Sequence, residues 1–197
     1  MALAEAEVAV KVLTYEQYLA EGQVAGFYDI IDGVRMWKVW DMTSPLWEHQ
    51  SIAKRILRVL LAFEDSGQGV AQFAPLDVLI LHSPLRTRQP ELLFVSHARL
   101  TEGGGPPTSS PLSVAPELVV EILSSSDTRR VLNGKIMDFC AAGVNECWIV
   151  SPNAESVEVL RLTPDGPERM AIHGTGDTVN SVAFPELTMS VSDIFSV

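Results

Sequence analysis

Cysteines, basic residues and long apolar runs are all scarce in this chain of 197 residues, and each scarcity argues against a class of protein. The two cysteines, Cys140 and Cys147, have six residues between them across a Gly-containing turn, with neither a Cys-x-x-Cys spacing nor a Cys/His cluster. They read as reduced, buried thiols, not as a disulfide framework or a thiolate metal site. No apolar run approaches the roughly 18 residues of a membrane span, and the opening MALAEAEVAV lacks a basic stretch ahead of an apolar core. A cytoplasmic protein without membrane contact is the expectation. Lys and Arg number 14 against 25 Asp and Glu, and the resulting net charge of −11 repels phosphate backbones at long range. A broad nucleic-acid-binding surface is thereby argued against, and a nucleic-acid role needs local evidence.

What remains is the composition of a globular protein. Hydrophobic residues make up 47% and charged residues 20%, which rules out wholesale disorder, a collagen-like chain and a coiled coil. The length suits about one domain, able to bury roughly two-thirds of the surface its unfolded form exposes. Residues 1–13 read as a loose N-terminal segment and residues 14–197 as a single domain.

Thr14 with Gln17 forms a capping box that opens a short helix through Tyr15, Tyr18 and Leu19, ended by Glu21-Gly22. Phe27 to Ile31, Asp32-Gly33 and Val34 to Val39 predict a strand, a type I′ turn and a second strand. Ser44-Pro45 supplies a cap and a first-turn proline for a long helix with His49, Ile52, Ala53, Ile56, Leu57, Leu60 and Phe63 on one face. Strands are expected at Val70 to Phe73, Leu76 to Leu81 and Glu91 to Val95, linked as antiparallel hairpins, with Arg86 and Arg88 in a loop between the last two. Thr101 to Ser110, rich in Gly and Pro, reads as a mobile surface loop. Leu118 to Leu123 is an apolar run of buried-strand type. A helix follows that ends at Gly143, and Cys147 to Val150 is again a strand. Further short strands extend or cover the sheet.

Chemistry is sought where ionisable groups interrupt apolar elements, because an unpaired buried charge is costly and normally has a partner, a metal or a shifted pKa. Glu121 lies inside the most apolar strand. Glu91 opens its strand directly after Pro90. Lys135 sits on the helix after Glu121, four residues from both Val131 and Phe139, and His49 lies on the apolar face of the long helix. Two carboxylates with a nearby ammonium can hold Mg²⁺ or Mn²⁺ and position a water for phosphodiester hydrolysis. The same residues also admit a structural reading: a buried Glu121–Lys135 ion pair, an exposed Glu91, a snorkelling Lys135 and a capping or core His49.

A wider pattern runs through these residues. In order, it comprises Tyr28-Asp29-Ile30-Ile31-Asp32-Gly33, Ser44-Pro45, Glu48-His49-Gln50, Ala74-Pro75-Leu76-Asp77-Val78 and Gln89-Pro90-Glu91-Leu92-Leu93-Phe94-Val95. It continues through Ala115-Pro116-Glu117 to Ser124, Lys135, Ala142-Gly143-Val144 and Trp148-Ile149-Val150-Ser151-Pro152. The series resembles the Uma-two family of putative restriction endonucleases, a branch of the PD-(D/E)XK nuclease superfamily, over nearly the whole chain. The resemblance implies an α/β restriction-endonuclease-like core, a central mixed sheet flanked by helices, with an additional C-terminal β region. It implies a metal site of Glu91, Glu121, the Ile122 carbonyl and Asp29, with Lys135 standing for the superfamily lysine where Leu123 occupies the usual position, and His49 as a recurrent histidine. Glu91 replaces the family's usual Asp, and Val34, Val131 and Phe139 stand where polar residues are frequent.

Two functions are expected on this basis. One is a Mg²⁺- or Mn²⁺-dependent endonuclease acting on DNA without an organic cofactor, with Arg86, Arg88, Arg129 and Arg130 as a local basic rim and a homodimer as the assembly. The other is a catalytically weakened or inactive nuclease-fold protein serving as an interaction or regulatory module. In the first case the net charge makes DNA binding weak, metal-dependent and favoured by low salt.

Overall fold

The computed structural model describes residues 11–38, 46–108, 110–124 and 127–196, and the expected helix start at Ser44-Pro45 lies outside them. The capping box is formed in full: the Gln17 N–H donates to Thr14 Oγ1 at 3.2 Å and the Thr14 N–H to Gln17 Oε1 at 3.0 Å, opening α1 (Tyr15–Glu21). Leu13, expected in the loose N-terminal segment, is instead only 4% exposed. It packs with Tyr18, Tyr28, Ile30 and Leu85, and its N–H donates to the Gly33 carbonyl. An apolar side chain beside an apolar hairpin gains by burial, so the packed chain includes it.

The hairpin of β1 (Tyr28–Ile31) and β2 (Val34–Trp37) turns at Asp32 and Gly33, with φ of 51° and 79°. Both values are positive, the type I′ requirement that an Asp-Gly pair meets at low cost. Helix α2 (Leu46–Asp65) then lays Ile52, Ile56, Leu60 and Phe63 along one buried face at helical spacing.

The next region departs from the expected hairpin series. β3 (Gly69–Phe73) and β4 (Val78–Leu81) lie in different sheets: β3 pairs antiparallel with β6 (Leu92–Ser96), and β4 pairs with β5 (Arg86–Arg88). Pro75 has no N–H to give a ladder, so the chain leaves one sheet there and enters the other. β5 occupies what the sequence presents as a loop, because Arg86-Thr87-Arg88 has no apolar period to betray a strand. It also pairs with β1 through Ile30 and Thr87. Ser96 caps a short α3 (His97–Glu102), which opens the segment read as a mobile loop.

The strand, helix, strand unit is as expected. β7 (Leu118–Ile122) and β8 (Glu146–Ser151) are parallel, and α4 (Arg129–Ala142) crosses between them, capped by Thr128 and by Gly143 in the left-handed region. The chain continues through the hairpin of β9 (Ser156–Thr163) and β10 (Gly166–His173). It closes with β11 (Thr178–Asn180), β12 (Thr188–Ser190) and α5 (Val191–Phe195).

The result is a mixed six-stranded sheet, order β10-β9-β8-β7-β6-β3, beside a four-stranded antiparallel sheet, order β2-β1-β5-β4. Alternation along β7 divides the core. Leu118, Val120 and Ile122 pack with α2 and the C-terminal segment, whereas Val119 packs with Ile136 and Phe139 of α4. Each such buried aliphatic or aromatic side chain contributes roughly 1.5–3 kcal/mol. The site lies where this apolar sandwich runs out, at the end of β7 and the start of β6.

Candidate active site

Across the antiparallel pair of β6 and β7, Leu92 lies opposite Val120, so the next step of the register sets Glu91 opposite Glu121. Like charges facing each other across a sheet repel. Glu121 is 3% exposed and lies on the β7 face turned toward α4. Burial, and after it the Glu121 charge, pushes the Glu91 carboxyl above its ordinary range, against the opposing pull of His49, Lys38 and Lys135.

Lys135 answers one side of this repulsion. Its Nζ donates to Glu121 Oε2 at 2.6 Å. Burial works against the ammonium, but the charge and hydrogen bond of Glu121, with Asp29 and Asp127 beyond, outweigh it and hold Lys135 well above the usual lysine range. With no metal bound, Lys135 is therefore held as an ammonium that donates to Glu121. The other oxygen, Glu121 Oε1, is buried with no hydrogen-bond partner. A buried acceptor left this way costs about 1–3 kcal/mol.

His49, on the first turns of α2, reaches both candidate ligands: Nε2 lies 3.3 Å from the Ile122 carbonyl oxygen and 3.8 Å from Glu91 Oε1. With the proton on Nε2 the ring donates to Ile122, leaving the buried and unpartnered Nδ1 as a bare acceptor. The structure thus brings Glu91, Glu121, Ile122, Lys135 and His49 together from four elements.

Asp29 stands beside this group with its oxygens already taken. Oδ1 accepts from the Gln89 N–H at 3.0 Å and lies 3.5 Å from Lys38 Nζ, and Oδ2 accepts from Arg88 at 3.0 Å. Arg88 also binds Asp138 of α4. Arg86 binds Asp138 at 2.8 Å and Asp32 at 2.5 Å. Arg86 and Arg88, expected on a basic rim, are instead committed to this charge network, and Arg88 is only 6% exposed. Arg129 and Arg130, at the start of α4, are exposed.

Lys38 is a member of the site that sequence reasoning missed; its Nζ donates to the Gln89 carbonyl at 2.7 Å, two residues before Glu91. Nothing local marks a lysine at a strand end. Asp138, Asp77 and Glu146 were findable, since each is an ionisable residue in or beside an apolar run, the same signal that singles out Glu121. Asp77 accepts from Tyr18 at 2.5 Å, Tyr28 at 3.1 Å and Gln89 at 2.9 Å. Burial and the Asp77 charge push the Tyr28 hydroxyl up to about 12.

A groove of about 460 Å³ opens beside Glu91, lined also by Phe27, Trp47, Lys54 and Phe73. A larger cleft of about 780 Å³, between α1 and the Pro106-Pro107 segment, has none of the candidate site residues in its wall. Among the described residues no three His, Cys, Asp or Glu side chains converge as a metal cluster. The candidate donors are two carboxylates and a backbone carbonyl. No described helix is long and apolar enough to cross a membrane.

Comparison with known proteins agrees with this architecture. Among solved structures the chain is similar to a putative nuclease belonging to DUF820 from Anabaena variabilis, with a TM-score of 0.73 and 19% identity over 93% of this chain and 98% of that one. That likeness shows the shared fold. No curated protein matches the chain. The model of the Uma2 family, described as "Putative restriction endonuclease", matches residues 27–192, a span that contains Asp29, His49, Glu91, Glu121, Ile122 and Lys135. From the first hairpin to α5, then, this chain belongs to the Uma2 family of putative restriction endonucleases.

Proposed function

We propose that the protein is a Mg²⁺- or Mn²⁺-dependent nuclease that hydrolyses phosphodiester bonds of DNA at the site of Glu91, Glu121 and Lys135. The observation that carries this reading is Glu121 Oε1, a buried carboxylate oxygen with no partner, on the residue that the register sets opposite Glu91. Two opposed carboxylates and a nearby carbonyl form an all-oxygen donor set, the type that hard divalent cations take, and a cation there would relieve the repulsion. Glu91, Glu121 and the Ile122 carbonyl would hold it. When bound, it would supply positive charge that makes a water more acidic and offsets charge developing on the phosphate.

The chain's own residues do the rest. Lys135 spends one N–H on Glu121 and keeps two, enough to hold the attacking water or a phosphate oxygen in place. The water's proton leaves to a carboxylate or to solvent. The water oxygen bonds to phosphorus in line as the opposite P–O bond breaks, and the departing oxygen takes up a proton. His49 fixes the Ile122 carbonyl by a hydrogen bond while leaving that oxygen a second lone pair. Asp29 acts at one remove, orienting Lys38, Arg88 and the Gln89 backbone, in place of the direct metal contact expected for it.

Calorimetric titration with Mn²⁺, run beside cleavage of single- and double-stranded DNA by the wild type, Glu121→Ala and Lys135→Ala, tests the proposal. Binding and cutting by the wild type alone are expected. A wild type that binds no metal and cuts nothing sinks it. One observation favours the second reading, an inactive module: the Lys135–Glu121 contact is a closed, buried ion pair. That pair predicts the negative outcome of the same titration.

A further inference from the structure

Among the described residues three aromatic side chains are exposed: Trp37 at 55%, Trp47 at 86% and Phe73 at 60%. Trp47 and Phe73 both line the groove that has Glu91 in its wall. One comes from the first turn of α2 and the other from the end of β3, so two separate elements deliver large rings to one place. Ile52, Ile56, Leu60 and Phe63 already give α2 its buried face, so the helix has no packing need for Trp47, and Phe73 is the last residue of an edge strand, where a polar side chain would fit as well. Exposed rings gathered beside a candidate active carboxylate call for a ligand with an apolar, flat face.

The charge balance narrows what that ligand can be. A chain of net charge −11 whose Arg86 and Arg88 are held in internal ion pairs has little phosphate attraction to spend. Stacking of a base on an aromatic ring needs no net charge, and it raises affinity by about 5- to 150-fold per base. The groove also holds Lys54, suited to one adjoining phosphate, and Gln50, whose amide can both donate to and accept from a base edge. At about 460 Å³ it is the size of a small-ligand site and too small for a duplex. Paired bases are already stacked on their neighbours and cannot enter it.

We infer that this groove binds an unpaired nucleobase next to the phosphate at Glu91, so that the preferred substrate is single-stranded nucleic acid or a duplex with a base displaced at the cut. The inference rests on the nuclease reading and specifies its substrate class.

Anisotropy of a short labelled single-stranded oligonucleotide, measured in Ca²⁺ against the same sequence as a duplex and with one abasic position, reads the groove directly. The wild type, Trp47→Ala, Phe73→Ala and Trp47→Phe are compared, with Mn²⁺ calorimetry on each as the control for the metal site. Both rings are exposed, so thermal melts should be unchanged. The single strand should bind at least about tenfold more tightly than the duplex, and each alanine variant should weaken it about 5- to 20-fold, with Trp47→Phe close to wild type. Binding that depends on the rings supports the inference whether or not metal-dependent cutting is seen. Equal affinity for single strand and duplex, unmoved by the alanine variants, overturns it; Mn²⁺-dependent cutting in that case leaves the nuclease reading standing. Loss of self-association in Trp47→Ala by light scattering, with no change in oligonucleotide binding, also overturns it by showing a second copy in the groove.

Discussion

Arg88 grips Asp138 through a single carboxylate oxygen: Nε donates to Oδ2 at 2.6 Å, Nη2 lies 2.5 Å from the same atom, and both side chains are buried. Asp138 lies three residues after Lys135 on α4, so the two share a helix face. The grip therefore sets where Lys135 meets Glu121. Arg88→Met leaves Asp29 and Asp138 short of their common partner in a buried setting, and a stability loss of about 3–5 kcal/mol is expected in denaturant melts. Arg88→Lys, whose single ammonium lacks the planar spread by which Nε reaches Asp138 and Nη1 reaches Asp29, should recover only part of it.

Lys135→Met should cost a similar amount, about 3–5 kcal/mol, because Glu121 is left as a buried carboxylate without its cation. Adding Glu121→Gln to that variant removes the stranded charge and should restore stability while leaving metal binding abolished. A double-mutant cycle on urea midpoints, with Mn²⁺ calorimetry on each protein, measures both. If the double variant is no more stable than Lys135→Met alone, the ion pair is not what holds the two residues together.

How much of this was legible in the sequence follows from the range of each interaction. β7 and α4 were readable because their signals are local: an apolar run, then a cap at Thr128 and a glycine at Gly143. Glu121 and Lys135 stood out as charges in apolar surroundings, and His49 by helical spacing. The opposition of Glu91 to Glu121 is a register between residues 30 positions apart, and only the family resemblance pointed to it. Arg88 finds its partners 59 and 50 residues away and sits in a strand with no apolar alternation, so its commitment to Asp29 and Asp138 had no local trace. The split of β3 and β4 between two sheets was hidden for the same reason: a short apolar run does not say which edge it joins.

Glu91 gives the metal-free protein a definite pH dependence. Burial and the Glu121 charge raise its folded-state pKa above the usual value of 4.5, so the native state holds the proton more tightly than the unfolded chain. The associated stability is fully present below 4.5 and is lost as pH rises through the folded value. Melting temperatures of the metal-free wild type should therefore decline relative to Glu91→Gln across that window. Mn²⁺ competes with the same proton, so its stabilising effect on the wild type should grow with pH and be small in Glu91→Gln. A decline of equal size in both proteins would assign the pH dependence elsewhere.

Glu146 offers a test of the fold that leaves the site alone. Its carboxylate is fully buried and accepts four hydrogen bonds: Trp148 Nε1 at 2.6 Å on Oε1, and Ser181 Oγ, Val182 N–H and Ala183 N–H at 2.7, 2.9 and 2.7 Å on Oε2. Four donors facing one acid tie β8 to the segment between β11 and β12. Glu146→Gln has one carbonyl oxygen, so its NH₂ must face either the Trp148 N–H or the three donors of the C-terminal segment. The less costly orientation gives up Trp148 alone, and one buried donor left without its acceptor costs about 1–3 kcal/mol. Glu146→Ala strands all four and should cost more. Because these donors belong to the end of the chain, amide exchange in β11, β12 and α5 should accelerate well before that in β7. Mn²⁺ affinity at Glu91 and Glu121 should stay at the wild-type value in Glu146→Gln; a parallel loss would show that the C-terminal β region shapes the site as well as the core.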